Sequence, residues 1–248
     1  GHYTPALTAL RQVPPAQATP GQISDHLQIA SWAGLDTEVV QVYETQGRGR
    51  ALPTQALTAT ARAYRNLKRW DQAIEVYNKA LAQEPNNADL QLGLALTQAD
   101  SGKPDEGVIR ARSLVAAKPD DPSRRLALGY ALNRAGKPYD ALFEYDQAFI
   151  RAGNKPEVAR EYVVALQKAR LPEPALRLAR QRPGLIDPVT LRRLEGDLAA
   201  ERVRLAELAT RSEKERYVIA DRALADYDQL LATWTPDASA HDDVTRWR

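Results

Sequence analysis

Apolar and small residues recur along this chain in blocks that repeat every 34 residues, and polar turns separate them on the same step. From Gly34 the step meets Lys68, Gly102, Gly136 and Arg170. Each opens a short turn: Gly34-Leu35-Asp36, Lys68-Arg69-Trp70-Asp71, Gly102-Lys103-Pro104-Asp105, Gly136-Lys137-Pro138-Tyr139 and Arg170-Leu171-Pro172-Glu173. Five residues past each stands a small or slender side chain (Val39, Ala73, Gly107, Ala141, Ala175), where two helices can cross closely. Four further come Tyr43, Tyr77, Ala111, Tyr145 and Ala179. Pro85 and Pro119, also one step apart, stop the helix that follows each turn, because proline lacks the amide hydrogen and clashes with the preceding turn. The pattern predicts an all-α array of helical hairpins. A single hairpin cannot bury its apolar stripe alone, so neighbours must stack.

The best copy, Thr54 to Asn87, carries Leu57, Ala61, Tyr64, Ala73, Tyr77, Ala80 and Pro85 at spacings that match the tetratricopeptide repeat. That resemblance implies a right-handed α-solenoid with a concave face. Five copies are predicted, at 20–53, 54–87, 88–121, 122–155 and 156–187, the end copies degenerate as terminal repeats usually are. Residues 20–53 lack the small residue at the crossing but keep Tyr43. Residues 156–187 keep Ala175 and are interrupted at Pro183-Gly184. Residues 1–19 read as an N-terminal capping helix over Thr4 to Val13, closed by Pro14-Pro15. Residues 188–248 read as a C-terminal helical pair, Pro188 to Thr210 and Glu213 to Trp234, and a linker.

Composition then removes function classes. With 34 Lys+Arg against 32 Asp+Glu the net charge is only +2, which gives no global case for nucleic acid or a membrane surface. Cysteine is absent, so disulfides, thiolate metal sites and cysteine nucleophiles are excluded. Methionine is absent too, and the opening Gly1-His2 reads as a processed or cut end. His2, His26 and His241 lie far apart without metal spacing. No phosphate loop or nucleophile elbow is present, so no cofactor and no catalytic residue is expected. Trp70 reads as a turn residue covering the junction of its hairpin, and Ser212 as the cap of a helix start.

Three stretches carry a narrower resemblance: His26 to Tyr43, Ala59 to Asn87 and Ala209 to Trp234. They are similar to the periplasmic part of the poly-β-1,6-N-acetyl-D-glucosamine export porins. The first and third lie outside the repeat signature and carry most of the specificity. The resemblance implies an outer-membrane β-barrel beyond this chain, and no alternating ten-residue strands are seen within it. It further implies that the domain binds a periplasmic polysaccharide deacetylase and guides a partly de-N-acetylated glucosamine polymer to the pore during biofilm matrix export.

Such a polymer is cationic where it has lost acetyl groups. Carboxylates would meet its ammonium groups and aromatic faces its sugar rings. By family analogy, positions two, five, nine, twelve and thirteen of each hairpin's first helix line the groove. The polymer-binding candidates there are Trp32, Asp89, Asp100, Tyr130 and Glu157, and the acids also fit a solvated helix face. Trp32 fits end-cap packing equally well. The partner-binding candidates are Arg62, Arg65, Asn66, Arg134 and Arg160, which suit carboxylates of a protein. The alternative reading is a protein-protein adaptor that never touches the polysaccharide. An acidic, aromatic groove favours the polymer, and a cluster of Arg and Asn favours the adaptor.

Overall fold

A computed structural model describes residues 3–153 and 155–209 and the isolated positions 212, 214, 215 and 218. Apart from those positions, the expected helix Glu213 to Trp234 and the linker lie outside the described residues, as do His2 and His241. The described residues contain twelve α-helices and no strand. They are α1 (Thr4–Arg11), α2 (Pro20–Trp32), α3 (Asp36–Val42), α4 (Thr54–Asn66), α5 (Trp70–Gln83), α6 (Ala88–Asp100), α7 (Pro104–Ala117), α8 (Pro122–Arg134), α9 (Pro138–Arg151), α10 (Pro156–Lys168), α11 (Pro172–Arg180) and α12 (Pro188–Ala209).

The five residues on the 34-residue step all adopt the left-handed conformation that reverses the chain, with φ of 73°, 59°, 86°, 73° and 59° at Gly34, Lys68, Gly102, Gly136 and Arg170. Three are glycine, which accepts that region freely; Lys68 and Arg170 hold it against a side-chain penalty. Helix starts keep the same step. Thr19 closes a capping box with Gln22, Asn87 Oδ1 accepts from the amides of Asp89 and Leu90, and Asp121 Oδ1 accepts from those of Ser123 and Arg124. Trp70, expected within a turn, instead opens α5 and is half-buried.

The chain divides into two compact units, Gly1–Ala165 and Leu166–Arg248. In the first, each hairpin packs its two helices together, and first helices also touch from repeat to repeat: α2 on α4, α4 on α6, α6 on α8. Second helices meet the first helix of the next hairpin, α5 on α6 and α7 on α8. First helices therefore form a continuous inner layer. The crossings need small residues: a Cβ on Gly107 would lie 2.6 Å from the carbonyl oxygen of Ala95, and one on Gly93 would lie 2.6 Å from the Tyr77 ring. In the first hairpin the second helix is short, since α3 gives way to a π-helical turn at Tyr43–Gly47. There Tyr43 is buried and meets Tyr64 edge-on, with ring centroids 6.1 Å apart. In the second unit α11 packs on α12, and Arg180 pairs with Glu195 at 3.2 Å.

Candidate functional site

The thirteenth residue of each first helix is its last: Trp32, Asn66, Asp100 and Arg134 in the first unit, each 34 residues after the one before. Because first helices stack side by side, these four side chains form a lane across the inner layer, in steps of roughly 8–10 Å between helix axes. At the centre of the lane Asp100 gathers three of the other candidates. The Tyr130 hydroxyl donates to Asp100 Oδ1 at 2.5 Å, Arg134 Nε stands 3.3 Å from Oδ1, and Arg65 Nε stands 3.8 Å from Oδ2. Burial, and then the hydrogen bond to Asp100, push the Tyr130 phenol up to about 12, so Tyr130 stays a neutral donor at any physiological pH. The cluster joins α4, α6 and α8, three successive first helices.

This arrangement changes the character expected of Asp100. The Asp100 side chain is only 10% exposed and faces two guanidinium groups, so it fits neither a solvated helix face nor an open site for ammonium groups. Asp89 and Glu157, in the first turns of α6 and α10, are exposed. Arg62 is exposed on α4 one turn before Arg65 and Asn66, and Arg160 is exposed one turn after Glu157. Asn66 Nδ2 donates to Asp36 Oδ2 at 3.0 Å, and so ties the lane to the first residue of α3. The guanidinium ends of Arg65 and Arg134 therefore flank one carboxylate on this part of the inner face, with Arg62 exposed one turn away on α4. Trp32 is 64% exposed, so it does not pack as an end cap; its nearest aromatic neighbour is Tyr3, at 6.4 Å between ring centroids.

Several polar contacts escape any reading by spacing. Glu38 takes Arg11 in a two-pronged contact, Nε to Oε1 at 2.9 Å and Nη2 to Oε2 at 2.6 Å, and His26 Nε2 stands 2.7 Å from the same Oε1. The Arg11 hydrogen bonds hold the Glu38 carboxyl at about 2, well below its usual range. This hub sits in a cleft of about 850 Å³ whose apolar wall includes Leu10, Val13, Leu35 and Leu67. Glu44 accepts from Arg69 at 2.6 Å and from the Tyr64 hydroxyl at 3.2 Å. Arg125 and Glu144 form an ion pair at 2.8 Å inside the fourth hairpin, with side chains 1% and 9% exposed. Partners 12, 19, 25 and 27 residues apart share no helical turn, so only the packing of hairpins brings them together. Among the described residues no group of three or more His, Asp or Glu could hold a metal ion.

Comparison with known proteins agrees with this geometry. Family profiles described as TPR repeat and tetratricopeptide repeat match residues 61–102 and 92–156. The poly-β-1,6-N-acetyl-D-glucosamine export proteins of Escherichia coli K12 and O157:H7 are each 38% identical over 222 residues, covering 88% of this chain. The chain spans 26% of the length of these relatives. Among solved structures, MamA from Desulfovibrio magneticus RS-1 superposes with a TM-score of 0.53 at 15% identity, over 66% of this chain and 97% of that one. A MamA from MSR-1 gives 0.50 at 22% identity, over 67% and 95%. At such identities these structures speak to the fold alone. Residues 61–156 thus carry tetratricopeptide repeats within an all-helical fold, and 88% of the chain is similar to a quarter of the poly-β-1,6-N-acetyl-D-glucosamine export protein.

Proposed function

We propose that this domain is the periplasmic scaffold of a polysaccharide exporter and that the centre of its inner face docks a carboxylate-bearing segment of a protein partner. The partner that fits the resemblance is the periplasmic polysaccharide deacetylase. The observation that carries this reading is the state of Asp100. Its charge is already met by Arg65 and Arg134, so an incoming ammonium would have to displace guanidinium groups, whereas an incoming carboxylate meets their outward N–H groups and Arg62. Planar guanidinium groups at 28% and 49% exposure remain accessible for two-pronged contacts with carboxylates. Asn66 extends the same surface along α4.

The partly de-N-acetylated polymer then passes over the residues left outside this cluster, with Asp89 and Glu157 for free amines and Trp32 for sugar faces. Each exposed ion contact contributes on the order of 0.2–1 kcal/mol, and linked weak contacts hold a chain in transit without arresting it. The domain performs no chemistry on the polymer, which fits a repeat scaffold whose candidate acids are exposed, as Asp89 and Glu157, or ion-paired, as Asp100.

The test is a substitution with opposite consequences. Asp100→Asn releases two arginines. If the centre docks acidic segments, the variant binds an acidic peptide or the deacetylase more tightly and partly deacetylated β-1,6-glucosamine oligomers no less. If Asp100 serves amines, oligomer binding falls instead. Raising salt to 1 M, where screening shortens to about 3 Å, weakens the acidic-peptide contact in the docking reading. Shortened chains or released acetate after incubating the domain with polymer would refute the absence of catalysis.

A further inference from the structure

Tyr3 and Trp32 are the most exposed aromatic contact in the first unit, 42% and 64% accessible, with rings 6.4 Å apart and tilted by 41°. The contrast with Tyr43 and Tyr64 is informative. That pair meets at 90°, edge to face, with both residues about 5% exposed or less, which is the arrangement of rings that close a core. Tyr3 and Trp32 instead stay accessible to solvent while their tilted rings lie within contact range of each other. Tyr3 precedes α1 and Trp32 ends α2, so two separate helices hold the rings. Trp32 also occupies the thirteenth place of its helix, at the N-terminal end of the same inner lane as Asn66, Asp100 and Arg134.

We infer that Tyr3 completes with Trp32 a two-ring carbohydrate platform, which grips β-1,6-linked N-acetylglucosamine units by their apolar faces and does not distinguish acetylated from deacetylated sugars. The inference deepens the polymer part of the proposed function and rests on it. The indifference to acetylation follows from placement. The exposed acids Asp89 and Glu157 occupy the second place of their helices and the platform the thirteenth, and eleven residues of helix correspond to roughly 16 Å. The nearest member of the lane is Asn66, an uncharged amide whose Nδ2 already engages the neighbouring Asp36 carboxylate at 3.0 Å. Ring faces contact the C–H face of a pyranose, which is the same whether or not the nitrogen carries an acetyl group. The platform therefore retains any part of the chain, while charge-sensitive contacts lie elsewhere.

The experiment follows indole N–H resonances of the full chain, with that of Trp32 identified by its loss in Trp32→Phe. Fully acetylated and partly deacetylated β-1,6-linked oligomers are titrated at low and high salt. The expected result is a shift of the Trp32 resonance with both oligomers, at similar concentrations and insensitive to salt. Tyr3→Ala should weaken both by about two- to tenfold, the range for loss of one aromatic contact, and Tyr3→Phe should restore binding. If backbone amides elsewhere shift while Trp32 stays still, the polymer reading stands and the platform is wrong. If no resonance moves with either oligomer, the polymer reading fails and the platform with it. Strong preference of Trp32 for the deacetylated oligomer overturns the indifference to acetylation. Self-association in sedimentation that disappears in Trp32→Ala assigns the rings to a second copy of the chain and overturns the sugar assignment. Both side chains are exposed, so unchanged circular-dichroism melting is expected for every variant.

Discussion

Two charged clusters share helix α8 and do different things. Arg125 and Glu144 pair at 2.8 Å between the two helices of one hairpin, and Arg125 Nε also donates to the Pro119 carbonyl at 2.7 Å. Asp100 meets Arg65 and Arg134 at 3.8 and 3.3 Å across three hairpins, on the inner face. The first pair is sealed from water and the second is open on its arginine side. A sealed charge cannot exchange partners without leaving a desolvated ion behind, so its role is to fix the packing of its hairpin. An open guanidinium can add a second carboxylate with little loss. Burial, and not the presence of an ion pair, separates the structural cluster from the binding one.

The strongest way to break that distinction is Arg125→Ala. It takes the guanidinium away from the buried Glu144 carboxylate and should lower unfolding free energy by about 3–5 kcal/mol, read by urea denaturation. Replacing both members with apolar residues of similar size, Arg125→Met with Glu144→Leu, should recover most of the loss. A loss below 1 kcal/mol for the single variant would mean that the buried pair is no more structural than the open one.

A contact of intermediate exposure sharpens the comparison through pH. The Glu38 carboxyl titrates at about 2 when folded, below its usual range, because Arg11 and His26 hold its charged form. A depressed acid contributes stability that is complete above its unfolded pKa and disappears as pH falls through the folded one. Melting of the native chain should therefore decline between the ordinary carboxylate range and about pH 2 more steeply than melting of Glu38→Gln. Parallel curves would refute the hub.

Asp100→Asn should change stability by less than about 1 kcal/mol, since the arginines it releases reach water. Its larger effect is on binding, as set out above. The smallest change expected concerns the turns. Lys68 holds φ of 59°, so Lys68→Gly should stabilise by about 0.5 kcal/mol, and the same exchange at exposed Lys79 inside α5 should destabilise by about 1 kcal/mol. Thermal melts of the two variants moving in the same direction would sink this account.

The 34-residue step alone determined where the hairpins turn. Turn conformation is a local matter, set by glycine at Gly34, Gly102 and Gly136 and imposed on Lys68 and Arg170 by the helices on either side. Small residues at the crossings were legible for the same reason, since Ala73, Gly107 and Ala141 recur at one spacing. The inner lane was partly legible, because position within a helix decides which face a residue takes. What the sequence could not decide was the state of each charge on that face. Asp100, Asp89 and Glu157 look alike as letters, yet Asp100 alone lies where Arg65, Tyr130 and Arg134 converge from neighbouring helices. Likewise nothing in the spacing of Arg11, His26 and Glu38 foretold their meeting, nor that of Tyr3 with Trp32. Such contacts join residues from different helices, and only tertiary stacking sets the distances and the exclusion of water that give a side chain its charge and its partners.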